Sequence, residues 1–135
     1  MTTTVPEDVA AGTALPLLAL PAISRTTLAL FAGASGDHNP IHIDLDVARS
    51  AGLDDVFAHG MLSMAYLGRL LTGWVPQSRI RSFQARFVAI TPVLGEPTCH
   101  GSVRSLEDGL ATLDLDVRLS DGTTTMTGTA VIDLR

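Results

Sequence analysis

A single cysteine, Cys99, excludes an internal disulfide, so packing alone must hold this chain together. Only the neighbouring His100 suggests any activation of that thiol, and Cys99 reads as a small buried hydrophobe. Positive charge is scarce. Nine Lys plus Arg against fourteen Asp plus Glu leave a net charge of −5 and no basic face of the kind that nucleic acid requires. Long apolar runs are missing as well. The most apolar early run, Leu15 to Ile23, is broken by Pro16 and Pro21 and is too short to span a bilayer. The first residues lack a basic stretch followed by an apolar one, so no secretory leader is read. A cytoplasmic protein that avoids membranes is expected. There is no Gly-rich phosphate loop, no Cys/His metal spacing and no Gly-x-Ser-x-Gly elbow. Any chemistry falls to side chains and a helix terminus, with no metal and no cofactor expected.

What is present suffices for one core. Hydrophobic residues make up 46% of the 135 and charged residues 17%, which suits one folded domain and argues against disorder. Residues 1–12 read as a loose arm ending at Gly12, and residues 13–135 as a single domain. Leu17–Leu20, between two prolines, reads as a short edge strand. Ser24 is placed to cap a helix through Ser35, which Gly36 ends. Asp44 or Asp46 can cap a short helix closed by Gly52. His59 to Thr72 is apolar almost all round, the pattern of a helix buried on every side, and Gly73 ends it.

Beyond Trp74 the period changes to two. Phe83, Ala85, Phe87 and Ala89 line one face of a strand. Cys99, Gly101 and Val103 alternate with polar neighbours, as do Ala111, Leu113, Leu115, Val117 and Leu119. Met126, Gly128, Ala130, Ile132 and Leu134 complete a last strand. Asp108-Gly109 and Asp121-Gly122 are hairpin signals. The expectation is a long helix followed by an antiparallel meander of four strands, with one face covered.

The segment Phe31 to Ala48 is the chemical centre. Asp37 and His42 flank an Asn39-Pro40 turn; Pro40 prevents helix at Asn39 and forces an extended exit. A carboxylate and an imidazole delivered on a short stiff turn can hold one water between them, as general acid–base chemistry needs. Taken singly, each residue has an ordinary structural reading: turn bracket for Asp37 and Asn39, half-buried histidine for His42.

The whole string, Phe31, Gly36, Asp37, Asn39, Pro40, His42 and Ala48, resembles the signature of the MaoC-like dehydratases, the R-specific enoyl-CoA hydratase or hydratase 2 family. Ala58-His59-Gly60-Met61-Leu62 also matches that family, where such a string opens the central helix. The resemblance covers nearly the whole chain after Gly12. It implies an α+β hot-dog fold, a curved antiparallel sheet wrapped around a long central helix. It implies a hydro-lyase that adds water reversibly and syn to a trans-2-enoyl thioester. Asp37 and His42 would be the catalytic pair, with the order of acid and base left open. The Gly60 N–H, at a helix N-terminus with its partial positive charge, would polarise the thioester oxygen, with His59 and Asn39 as further site residues. Close packing is the alternative for Gly60, and His59 is equally a site wall or a packing residue.

One position departs from the pattern. A serine late in the central helix contacts the acid in some relatives, and Gly68 stands in its place, so Ser63 or a water would have to substitute. The substrate implied is a coenzyme A or acyl-carrier thioester, with Arg79, Arg81, Arg86 and Arg104 as weak candidates for its phosphates. The chain is expected to act as a homodimer, or as a heterodimer with a homologous hot-dog subunit. Because fold does not fix function, a hot-dog thioesterase and a subunit of a heteromeric acyl dehydratase remain the rival readings.

Overall fold

The computed structural model of the chain describes residues 3–135, so Met1 and Thr2 of the expected arm lie outside it. In chain order the elements are β1 (Leu18–Ala19), α1 (Arg25–Ser35), a 3-10 turn at Pro40–His42, α2 (Leu45–Ser50) and α3 (Gly60–Trp74). A second 3-10 turn at Gln77–Arg79 leads into β2 (Ile80–Phe87), β3 (Pro97–Glu107), β4 (Leu110–Leu119) and β5 (Thr124–Asp133).

The alternation dictates the sheet. On β4 the five alternating apolar positions, Ala111, Leu113, Leu115, Val117 and Leu119, are buried, while Asp114 and Arg118 face out. Asp108 and Gly109 both adopt positive φ, 50° and 75°, the two-residue primed turn that joins β3 to β4 without splaying them. β5 pairs with β4 on its other side. The meander stops at three strands, however. β2 pairs with β5, not β3, and the order is β1-β3-β4-β5-β2. Alternation identifies which residues form strands; it carries no mark of which strands are neighbours.

The curved wrap is also corrected. The strands form an open antiparallel sheet, neither closed nor strongly curled, with edges at β1 and β2. β1 has only two residues because Pro16 and Pro21 flank it, so it cannot carry the sheet further around the helix. α3 lies against the sheet on one side only. Leu62, Ser63, Leu67, Leu70 and Leu71 are buried, while Met61, Ala65, Arg69 and Thr72 are exposed. The helix also continues through Gly73 to Trp74. The apolar pattern had marked all sides of α3 for burial, but a single sheet covers one.

Two cores result. Leu67, Leu70, Leu71 and Val75 pack on Val103, Leu113, Val117, Met126 and Ile132 of the sheet. A second cluster joins Ile23 and Leu28 to Ala48, Val56, Ala58 and Leu62. The second core seats α1, α2 and the turn between them against the first turns of α3, which places the motif beside the α3 N-terminus. Ahead of β1 the chain follows β3: the Gly12 N–H donates to the Val103 carbonyl at 2.7 Å, and Ala14 bridges to Ser102.

Candidate active site

The turn is built from short-range hydrogen bonds that its residue types supply. Ser24 Oγ accepts from the Thr27 N–H at 3.0 Å and starts α1. Gly36 ends it at φ 78°, its N–H on the Ala32 carbonyl, a conformation that a side chain would strain. Asp37 Oδ1 accepts from the Asn39 N–H at 3.2 Å, and Asn39 Oδ1 from the Ile41 N–H at 3.1 Å. Pro40 occupies the first position of the 3-10 turn, and Asp44 caps α2 through the Asp46 N–H. The outcome is a reversal that leaves the Asp37 carboxylate half exposed and turns His42 inward, its side chain 9% exposed.

His42 Nδ1 lies 2.7 Å from the Phe57 carbonyl oxygen. A carbonyl can only accept, so Nδ1 carries the proton and Nε2 of the neutral ring presents its lone pair. That nitrogen lies 4.0 Å from Asp37 Oδ2. The gap is too long for a direct hydrogen bond, yet a water about 2.8 Å from each atom fits between them. His59 is fully buried. Its Nε2–H donates to the Asp37 main-chain carbonyl at 3.1 Å, and its ring stacks on His42 with centroids 3.9 Å apart. Phe31 meets His59 edge-on, and Phe57 does the same to His42, each at 4.9 Å. Burial pushes the His59 pKa below its ordinary value, opposed by the hydrogen bond to Asp37. Polar atoms of Asp37, His42 and His59 all lie within 4.8 Å of one another, and no other such group of His, Cys, Asp or Glu occurs among the described residues.

Beside this cluster opens a cavity of about 450 Å³, lined by Asp37, Gly60, Met61, Ser63, Phe87 and Met126 among others. Gly60 is the first residue of α3, so its N–H has no partner within the helix. A Cβ there would come within 2.8 Å of the Phe87 ring. A second hollow of about 500 Å³ lies across Asp37 and Met61, along the uncovered side of α3 with Met64, Ala65, Gly68 and Phe83. Asp37 borders both.

Of the residues expected at the site, Asp37, His42, His59 and Gly60 come together. Asn39 spends its side-chain oxygen on the Ile41 N–H of its own turn and, like His42 and His59, lines neither hollow. Gly68 borders the hollow next to Asp37, but Ser63 does not replace the missing serine, since its hydroxyl has no hydrogen-bond partner. Among the arginines, Arg81 holds Asp133 at 2.7 Å, Arg104 holds Asp114 and Arg79 reaches the Arg135 carbonyl. The Phe57 carbonyl that sets the His42 tautomer was not foreseen, because a main-chain acceptor leaves no signal in residue type.

Residues 8–111 match the family described as MaoC like domain. The chain belongs to the MaoC-like family. Members share the hot-dog architecture, and this chain is similar to a chain of the ChsH1-ChsH2 complex from Mycobacterium tuberculosis, with a TM-score of 0.83, 28% identity, and 95% of this chain and 99% of that one covered. It is similar also to the (R)-hydratase from A. caviae involved in PHA biosynthesis, with a TM-score of 0.83 and 25% identity over 96% of this chain and 100% of that one. A curated relative, the fatty acid synthase subunit beta of Saccharomyces cerevisiae, is 29% identical over 124 residues, 88% of this chain. The match spans 6% of the yeast subunit's length.

Proposed function

We propose that this chain is a hydro-lyase catalysing the reversible syn addition of water to a trans-2-enoyl thioester, giving the R-3-hydroxyacyl thioester. The observation that carries the proposal is the Asp37–His42 pair, its two free acceptor atoms 4.0 Å apart, beside a cavity that Asp37 and Gly60, the first residue of α3, both line. The lone pair of His42 Nε2 and the Asp37 carboxylate hold one water. As its oxygen attacks C3, the pair takes one proton, and a proton is delivered to C2 from the same side. Both groups act on the same water. The Gly60 N–H, strengthened by the helix dipole, donates to the thioester oxygen as C2 becomes enolate-like. His59 holds the Asp37 main chain and supports the His42 ring. The similarity to the A. caviae (R)-hydratase supports this reading.

The substrate class is an acyl thioester, with coenzyme A or an acyl carrier as the leaving half. The apolar wall of Phe57, Met61, Phe87 and Met126 suits an acyl chain. Residues 13–135 form the one catalytic domain, with 1–12 its N-terminal arm. No helix among the described residues is long and apolar enough to cross a membrane, and we place the protein in the cytoplasm. The working form includes a second hot-dog unit, a copy of this chain or a homologous subunit. The uncovered side of α3, the edge strand β2 and the exposed Phe87, Val88 and Ile90 support it, as does the likeness to a chain of a two-component complex.

The test is a panel of trans-2-enoyl-CoAs of increasing length. Loss of the conjugated thioester absorbance without release of free thiol is expected. Thiol release in place of hydration would assign the site to thioester hydrolysis.

A further inference from the structure

Ser63 lies in the first turns of α3 and is 2% exposed. It lines the cavity, and its Oγ has no hydrogen-bond partner. A serine inside a helix can satisfy itself on the carbonyl four residues back; this one makes no such bond. An unpaired hydroxyl at such a depth carries a desolvation penalty that a ligand oxygen would relieve. Its position says which oxygen. Ser63 follows Gly60 by three residues, so the two share a face of the helix. Helical side chains lean toward the N-terminus and cover the preceding turn. Gly60 has no side chain and lines the same cavity as Ser63, so that lean would carry the Ser63 hydroxyl toward the helix N-terminus. Thr125, the neighbouring buried hydroxyl on the cavity wall, is already directed to the Val117 carbonyl at 3.4 Å.

We propose that Ser63 is a catalytic residue whose hydroxyl donates the second hydrogen bond to the substrate's thioester oxygen, alongside the Gly60 N–H. The inference rests on the hydratase reading. Two donors converging on one oxygen stabilise the charge that develops as water adds to C3, and the hydroxyl can rotate to follow the oxygen as that charge grows. Because the hydroxyl has no protein partner, removing it breaks no bond within the fold.

The experiment compares Ser63→Ala, Ser63→Thr and Asp37→Asn with the parent on crotonyl-CoA, or on the longer trans-2-enoyl-CoA that the parent hydrates fastest. Ser63→Ala should lower kcat by about 10²-fold with KM little changed, the effect of losing one such donor. Its melting temperature should equal or exceed the parent's. Ser63→Thr should recover most of the rate. Infrared spectra of the bound thioester, labelled with ¹³C at the carbonyl, supply a readout without turnover. In the Asp37→Asn protein the carbonyl band should lie at lower frequency than in water, and Ser63→Ala in that background should move it back. Parent-like kcat in Ser63→Ala, or an unmoved band, overturns the proposal; so does a variant that melts early and turns over normally while folded. Undiminished turnover in Asp37→Asn would instead refute the hydratase reading, and the infrared band would still decide the role of Ser63.

Discussion

The imidazoles of His42 and His59 lie face to face, centroids 3.9 Å apart and planes 29° from parallel. Two cations cannot share that stack at low cost. The ring that lowers its pKa is His59, the one fully enclosed by the fold. The outer ring keeps its free nitrogen toward Asp37, and the inner one serves as a neutral support. In the proposed mechanism proton chemistry falls to His42 and positioning to His59.

A pH dependence of stability follows. A histidine whose folded pKa lies below its unfolded value, about 6.5, makes its full contribution above that value. The contribution is lost as pH falls through the folded pKa, because the unfolded chain takes the proton first. Urea unfolding from pH 7.5 downward should show stability falling below about pH 6.5. His59→Gln should flatten part of that slope. An identical slope in the variant would mean that other histidines account for it.

The proposed catalytic pair makes the sharpest kinetic prediction. Asp37→Asn and His42→Ala should each lower kcat by roughly 10²–10⁴-fold, the span for loss of a positioned acid or base. The double variant should lose little more than the worse single one, since the pair acts on one water. Circular dichroism should show both folded. Near-parent turnover in both would remove them from the mechanism.

Gly60→Ala tests the helix terminus. Its Cβ would come within 2.8 Å of a Phe87 ring that is 57% exposed. The ring can swing into solvent, so melting should shift little. The displaced ring and the new methyl would crowd the thioester oxygen, and kcat should fall by more than tenfold. A large melting shift with normal turnover would make Gly60 a packing residue.

Assembly is testable by sedimentation. The uncovered stripe of α3 and the edge of β2 predict a particle of two hot-dog units at micromolar concentration. Placing a charge in the stripe, as in Ala65→Glu, should shift the protein toward monomer and lower activity together. A fully active single chain would show that the site is complete without a partner.

Cys99 should be inert. Burial pushes its thiol up to about 12, so the native protein should not react with a thiol reagent at pH 8 and should react once unfolded. A raised folded pKa stabilises fully below the unfolded value of 9.0, and that contribution is lost as pH rises toward about 12. Stability should therefore begin to fall above about pH 9.

The candidate site was more legible than the sheet. Ser24, Gly36, Asn39, Pro40 and Asp44 each act on backbone within three or four residues, so their types alone specify caps and turns. The same locality brings Asp37 and His42 to one turn. The contacts of His59 with the Asp37 carbonyl and of His42 with the Phe57 carbonyl span 22 and 15 residues. No local pattern encodes either.

By itself the sequence determined the elements, the inward faces of β3, β4 and β5, and the family to which the chain belongs. Short-range sterics, capping and side-chain period are enough for these. Only the tertiary structure decided that β2 pairs with β5, that the sheet stays open, and that one side of α3 is left uncovered. Apolar periodicity records that a face is to be buried, and hydrophobic attraction has no direction that would name what buries it. On α3 the same kind of apolar side chain meets the sheet at Leu67 and Leu71 and faces solvent at Met61, and which elements pack on the helix, a long-range choice, made that difference.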